Sequence, residues 1–225
     1  MPSLFWSSFA TGSNSETAAF LATHLKRVLG EVQQQTGAVV AGVLTDNASN
    51  LGVAWQLLVE KLPVIGGGCS AHVLNLLIQD MFKLNVFKTS QAKALAITTF
   101  VRDHHAPLSQ FQTMLKETCN DHRRTLSASA AMRWYSLHAC LSRVPKNKGL
   151  LKNPFLERGH TELLARSAST RTTVVKLQQV QIDLRDRSFW WELGQVVVFL
   201  DPVIEALREL ESDTCPTSHV YSRFR

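Results

Sequence analysis

Apolar residues recur along this chain at two different periods, and the change between them divides it. Leu21, Leu25, Val28 and Val32 stand three or four residues apart, the spacing of one helical face, which predicts a helix from about 15 to 35. Ser13-Asn14-Ser15-Glu16 has the form of a capping box at its start, and Thr36-Gly37 closes it. The next stretch, AVVAGVLT at 38 to 45, is nearly all apolar and rich in β-branched residues. That predicts a short strand buried on both faces, as in an α/β sheet. Helical spacing returns with Leu51, Ala54, Leu58 and Leu62, and Pro63 stops that helix before a short extended VIGGG. Another apolar helix is predicted from Ser70. Beyond it the chain reads as helices at 90 to 103, about 107 to 118, around 131 to 144, around 170 to 182, and 188 to 211. The last should carry Leu193, Val197, Leu200, Ile204 and Leu207 on its inner stripe and kink at Pro202. Residues 119 to 130 and 145 to 154 read as short linkers.

Composition narrows the class. A chain of 225 residues with 45% hydrophobic content buries a core, as one large domain or a domain with an appendage. Neither a signal peptide nor an uninterrupted apolar window of about 18 residues stands out. Cys69, Cys119, Cys140 and Cys215 are too scattered for a secreted disulfide framework. A soluble intracellular protein, with no membrane partner, is expected. The net charge of +6 is concentrated: residues 81 to 188 hold 18 basic against 7 acidic side chains, whereas 1 to 68 hold 3 against 4 and 189 to 225 hold 3 against 6. Phe82, Phe87, Phe100, Phe111, Trp134, Tyr135 and Phe155 lie among those basic residues. A polyanion-binding surface and the solvated face of ordinary helices both fit this composition.

Asp46 follows the apolar strand directly. Open α/β sheets place their sites at the carboxyl ends of strands, but an acid here also suits the start of the helix that follows. The wider pattern is more specific. Thr45, Asp46, Asn47 and Asn50 are followed by the pair Ala54-Trp55, then by Gly68, Cys69, Ala71, His72, Leu74, Asn75, Leu76 and Asp80. This block resembles the central segment of hAT-family transposases and hAT-derived proteins, a branch of the ribonuclease H-like superfamily. More loosely, LFWSSFATGSNSETAAFLATHL is similar to the family's third strand and first helix. FVRDHHAPLSQF is similar to the segment after the Cys/His block, and Arg133, Trp134 and Ser136 match a stretch of its helical insertion domain, where Met132 departs from the usual threonine. FWWELGQVVVFLDPVIEALRELESD resembles later insertion helices.

The resemblance implies an α/β fold: an incomplete ribonuclease H-like sheet with helices in 1–88, followed by a mainly α-helical insertion region, truncated at its end, in 89–225. It implies that Asp46 is one of three acids that hold two Mg²⁺ or Mn²⁺ ions for DNA strand cleavage. Cys69 and His72 would lie beside that site and help organise the DNA, and Trp134, next to Arg133, would stack on a displaced base. The family's other two acids have no match in this chain, and Glu205, Glu209 and Glu211 fall in the helical insertion pattern. Two-metal chemistry needs both ions clamped by several oxygen ligands, so an inactive relic of a transposase is expected, with the metal not bound. Weak DNA binding through 81–188, self-association and a nuclear location complete the expectation. Two other readings stand beside it. One is a helical protein-interaction module without DNA contact. The other is a zinc site built from the pairs Cys69/His72 and Cys119/His122, whose internal spacing suits ligands.

Overall fold

The structure, a computed structural model, describes residues 4–11, 16–118, 125–127, 134–156 (without the Pro154 side chain), 170–212, 215 and 220. The chain divides into two compact units, Met1–Ile78 with Ala206–Arg225, and Gln79–Glu205.

In the first unit the order is α1 (Ala18–Thr36), β1 (Gly42–Thr45), α2 (Ser49–Val59), β2 (Ile65–Gly68) and the greater part of α3 (Ser70–Met81). Helix α1 starts at Ala18, because Thr17 caps it by accepting the Phe20 N–H at 3.3 Å. Ser13 of the expected capping box lies outside the described residues. Gly37 ends the helix in the left-handed conformation at φ 68°, a geometry that glycine adopts without strain. The expected inner stripe of α1 is only half covered: Leu21, Leu25, Val28 and Val32 are all partly exposed.

Strands β1 and β2 pair in parallel, Gly42 opposite Ile65 through Thr45 opposite Gly68. Helix α2 connects them and packs on α1 and β2. The crossover is the connection that parallel strands require. A strand buried on both faces is not what forms. β1 has four residues, only Val43 is buried, and Leu44 is 66% exposed: α2 covers the face that Val43 shares with Gly66, and among the described residues the sheet has two strands. Residues 4–11, expected as another strand, are not one. Phe9 instead stacks on His24 of α1 at 4.0 Å and meets Phe20 edge-on. Among the described residues the sheet therefore holds β1 and β2 and not the 4–11 segment, and the ribonuclease H-like sheet expected from the sequence is not formed.

The second unit is helical: α4 (Asn85–Asp103), α5 (His105–Thr118), α6 (Trp134–Lys146), α7 (Lys148–Leu156), α8 (Arg171–Arg185) and α9 (Arg187–Leu210) up to Glu205. Helix α4 is central and packs on α5, α6 and α8, while α7 packs on α5, α6 and α8. Ile97, Val101, Leu141, Leu151, Phe155, Leu184 and Leu193 are essentially sealed from solvent. At about 1.5–3 kcal/mol for each fully buried large side chain, this unit holds most of the apolar stabilisation. In the first unit Ala54, Ile78, Leu207 and Leu58 are the best covered.

Two sequence expectations change here. Residues 148–156 are a helix, not a linker: Leu151 and Phe155, four apart, give α7 a buried stripe that the surrounding Lys, Gly, Asn and Pro disguise. On α9 the buried stripe uses Val196 rather than Val197, and the helix runs on through Pro202.

Candidate functional site

The TDNxxN segment and the Cys/His block are 22 residues apart in sequence at their nearest hydrogen-bonded pair, Asn47 and Cys69, yet the parallel register ends both strands together. The Cys69 N–H donates to the Thr45 carbonyl at 2.7 Å, extending the ladder by one bond. Asn47 Nδ2 donates to the Cys69 carbonyl at 3.0 Å. That same carbonyl accepts the Val73 N–H at 3.2 Å, so Asn47 is tied to the first turn of α3. Asn50 Nδ2 reaches back to the Glu16 carbonyl at 3.0 Å, while its Oδ1 accepts the Leu51 N–H. Each asparagine of the motif thus stitches the start of α2 to another segment.

Asp46 behaves differently. Its side chain is exposed, and Oδ1 accepts the Ala48 N–H at 3.0 Å, closing a local turn. Ala48 is the N-cap of α2 and has no side-chain cap. The acid therefore stands at the carboxyl end of the strand and shapes the turn into α2 at once. His72 is half-buried on α3, one turn beyond half-buried Cys69.

Glycines make this close approach possible. A Cβ on Gly68 would run into Asn47 Oδ1. One on Gly66 would lie 2.8 Å from Trp55 Cε3 and 3.0 Å from Val59 Cγ2. The bare backbone of β2 is what lets α2 lie on it.

The donor set at the strand ends does not fit a pair of divalent ions. It offers one exposed carboxylate with an oxygen already engaged, and among the described residues no three His, Cys, Asp or Glu side chains converge. Hard cations need several oxygens together. Asp80, the last acid of the sequence block, is spent in an exposed pair with Lys83 at 2.6 Å. Cys119 and His122, the second half of the zinc alternative, lie outside the described residues, as does Arg133.

Trp134 opens α6 in the helical unit. Its ring stacks on Phe82 at 5.7 Å and 13°, Phe82 meets Phe87 edge-on at 5.7 Å, and Phe87 meets the exposed Phe199 at 6.5 Å. One face of the indole is therefore covered by Phe82. On the same helix His138 Nε2 lies 2.6 Å from Asp201 Oδ1 of α9.

The basic residues of this unit fall into two groups. Lys93 is compensated: its Nζ is 2.7 Å from Asp186 and 4.0 Å from the buried Asp183. The Lys93 hydrogen bond, followed by those from Ser188, holds the Asp186 carboxyl well below the usual carboxylate range, and the same bond raises Lys93. Arg143 is tied to the Thr125 carbonyl at 3.1 Å. By contrast Lys88, Arg102, Lys116, Lys146, Lys148, Arg171, Lys176, Arg185 and Arg187 are exposed, and among the described residues none forms an ion pair. Sequence pattern alone did not separate these groups, because Asp183 and Asp186 lie some ninety residues from Lys93. No helix among the described residues is long and apolar enough to cross a membrane. No family model, no curated protein and no solved structure matches the chain.

Proposed function

We propose that the chain is a hAT-transposase-like DNA-binding protein whose ribonuclease H-like segment no longer cuts DNA. One observation carries most of the support: Asp46-Asn47 and Cys69, halves of the sequence block that resembles the family, meet at the carboxyl ends of two parallel strands. That is where open α/β sheets present their sites. The uncompensated basic residues of the helical unit supply the attraction for a phosphate backbone. Loss of cutting follows from ligand count. Among these 225 residues Asp46 is the one match to the family's three metal-binding acids, and a lone exposed carboxylate leaves a divalent ion most of its water.

The test is a nicking assay on labelled duplex with Mn²⁺, comparing the chain with Asp46→Asn. Both proteins should retain the DNA and leave it uncut. Metal-dependent cleavage that disappears in Asp46→Asn overturns the proposal. Trp134→Ala separates the stacking role: binding to single strands should fall more than binding to plain duplex, since only unstacked bases present their π-faces. Equal losses on both substrates assign Trp134 to packing on Phe82 alone.

A further inference from the structure

Three ammonium groups lie over the aromatic pair Phe189–Trp190 of α9, whose ring centroids are 5.2 Å apart. Lys93 Nζ stands 5.7 Å from the Phe189 centroid and has its two aspartates. Lys148 Nζ and Lys152 Nζ stand 5.2 and 5.7 Å from the Trp190 centroid, and among the described residues neither has a carboxylate within ion-pairing distance. Trp190 is a fixed platform, buried and held by its indole N–H donating to the Leu184 carbonyl at 2.9 Å. Both nitrogens thus lie against one ring, from positions four apart on α7. Exposed Lys146, which ends α6 just before Lys148, has no counter-charge among the described residues either.

Folding accounts for one lysine here, because a lysine stem packs well on an indole and its charge is attracted to the ring face. A second, one turn away with no anion, adds repulsion between like charges at i and i+4. An external anion removes that cost. We propose that Lys148 and Lys152, with Lys146, form a phosphate-backbone contact of this protein for duplex DNA. The proposal rests on the DNA-binding reading above. Duplex DNA fits better than an acidic polypeptide because its charges are rigidly spaced and dense, about one per 1.7 Å of axis. Ammonium groups meet phosphates as point charges and need no bidentate geometry, so the contact is independent of base sequence.

The experiment measures affinity of the full chain for a labelled duplex of mixed sequence as NaCl rises, by fluorescence anisotropy. Each lost phosphate contact lowers the slope of log affinity against log salt by about 0.9. Lys148→Gln/Lys152→Gln should therefore lower it by about 1.8. Lys148→Arg/Lys152→Arg should keep it, and Lys116→Gln/Lys176→Gln, at exposed positions away from the Trp190 ring, should lower it less. Circular dichroism of each variant confirms that the helices persist. An unchanged slope in Lys148→Gln/Lys152→Gln, or equal losses in the two Gln pairs, overturns the site while leaving DNA binding intact. Polyglutamate binding that is lost in the Gln pair while duplex binding is kept assigns the patch to an acidic polypeptide and also overturns it. Absence of any salt-dependent duplex binding by the wild-type chain overturns the DNA reading itself.

Discussion

Gly66 and its neighbour Gly67 give opposite responses to one added methyl group. Replacing a strand glycine by alanine lowers the entropy of the unfolded chain and, without a clash, stabilises by about 0.4–1 kcal/mol. At Gly66 the new Cβ meets Trp55 Cε3 at 2.8 Å, Val59 Cγ2 at 3.0 Å and Trp55 Cβ at 3.2 Å. Rotating the indole moves the first contact but not the last, because Cβ is fixed to the α2 backbone. Overpacking of this kind costs about 1–3 kcal/mol, so it outweighs the entropic gain. At Gly67 the one neighbour is Leu44 Cδ2 at 3.3 Å, the end of an exposed, flexible side chain. The expected net loss for Gly66→Ala is about 1–2 kcal/mol, equivalent to amide exchange about 5–30 times faster. Gly67→Ala should be neutral or slightly protective. Hydrogen exchange of peptides covering 49–68 makes the comparison. Equal exchange in the two variants, or protection in Gly66→Ala, would show that α2 does not rest on β2 as described.

Asp186→Asn should destabilise the helical unit by about 1 kcal/mol near neutral pH, the scale of a partly exposed charge-assisted hydrogen bond. Because folding depresses this carboxyl, its contribution is present above the unfolded carboxylate value of about 4 and is lost as pH falls through the lower folded value; the gap between wild type and variant in urea unfolding should close below about pH 4, and a gap constant down to pH 2 refutes the assignment. Burial pushes the Cys140 thiol up, partly offset by Thr98, so iodoacetamide at pH 8 should label it at least about tenfold more slowly than half-buried Cys69 in the folded chain; equal labelling, read by peptide mass spectrometry, contradicts the packing of α6 on α4. Limited proteolysis should cut within 4–68 before it cuts α4, α6 or α9, since the apolar burial is concentrated in the helical unit; early cleavage inside α4 contradicts that distribution.

Helical spacing in the sequence locates the helices because their apolar faces meet a core. Leu193, Leu200, Ile204 and Leu207 are buried where periodicity puts them. The strand was legible in type but not in extent or surroundings. An apolar run from Ala38 to Thr45 carries no information about how many partners it finds, and with β2 alone Leu44 and Ile65 remain exposed. Lys148–Leu156 was hidden because two buried side chains four apart define α7 among residues that usually mark linkers. At the candidate site, the strand-end position of Asp46 was readable from the switch between apolar run and polar cluster. The bridge from Asn47 to Cys69 was not, since it depends on the parallel register. The double-lysine platform on Trp190 needed the fold, because α7 and α9 are some forty residues apart.

Whether basic residues hold the chain to DNA decides between a DNA-binding protein and a protein scaffold. The most direct measurement is wild-type affinity for labelled duplex from about 50 to 200 mM salt. A straight decline of log affinity with log salt is expected, with the same line for unrelated sequences. Affinity that stays flat with salt, or no binding at the lowest salt, contradicts it.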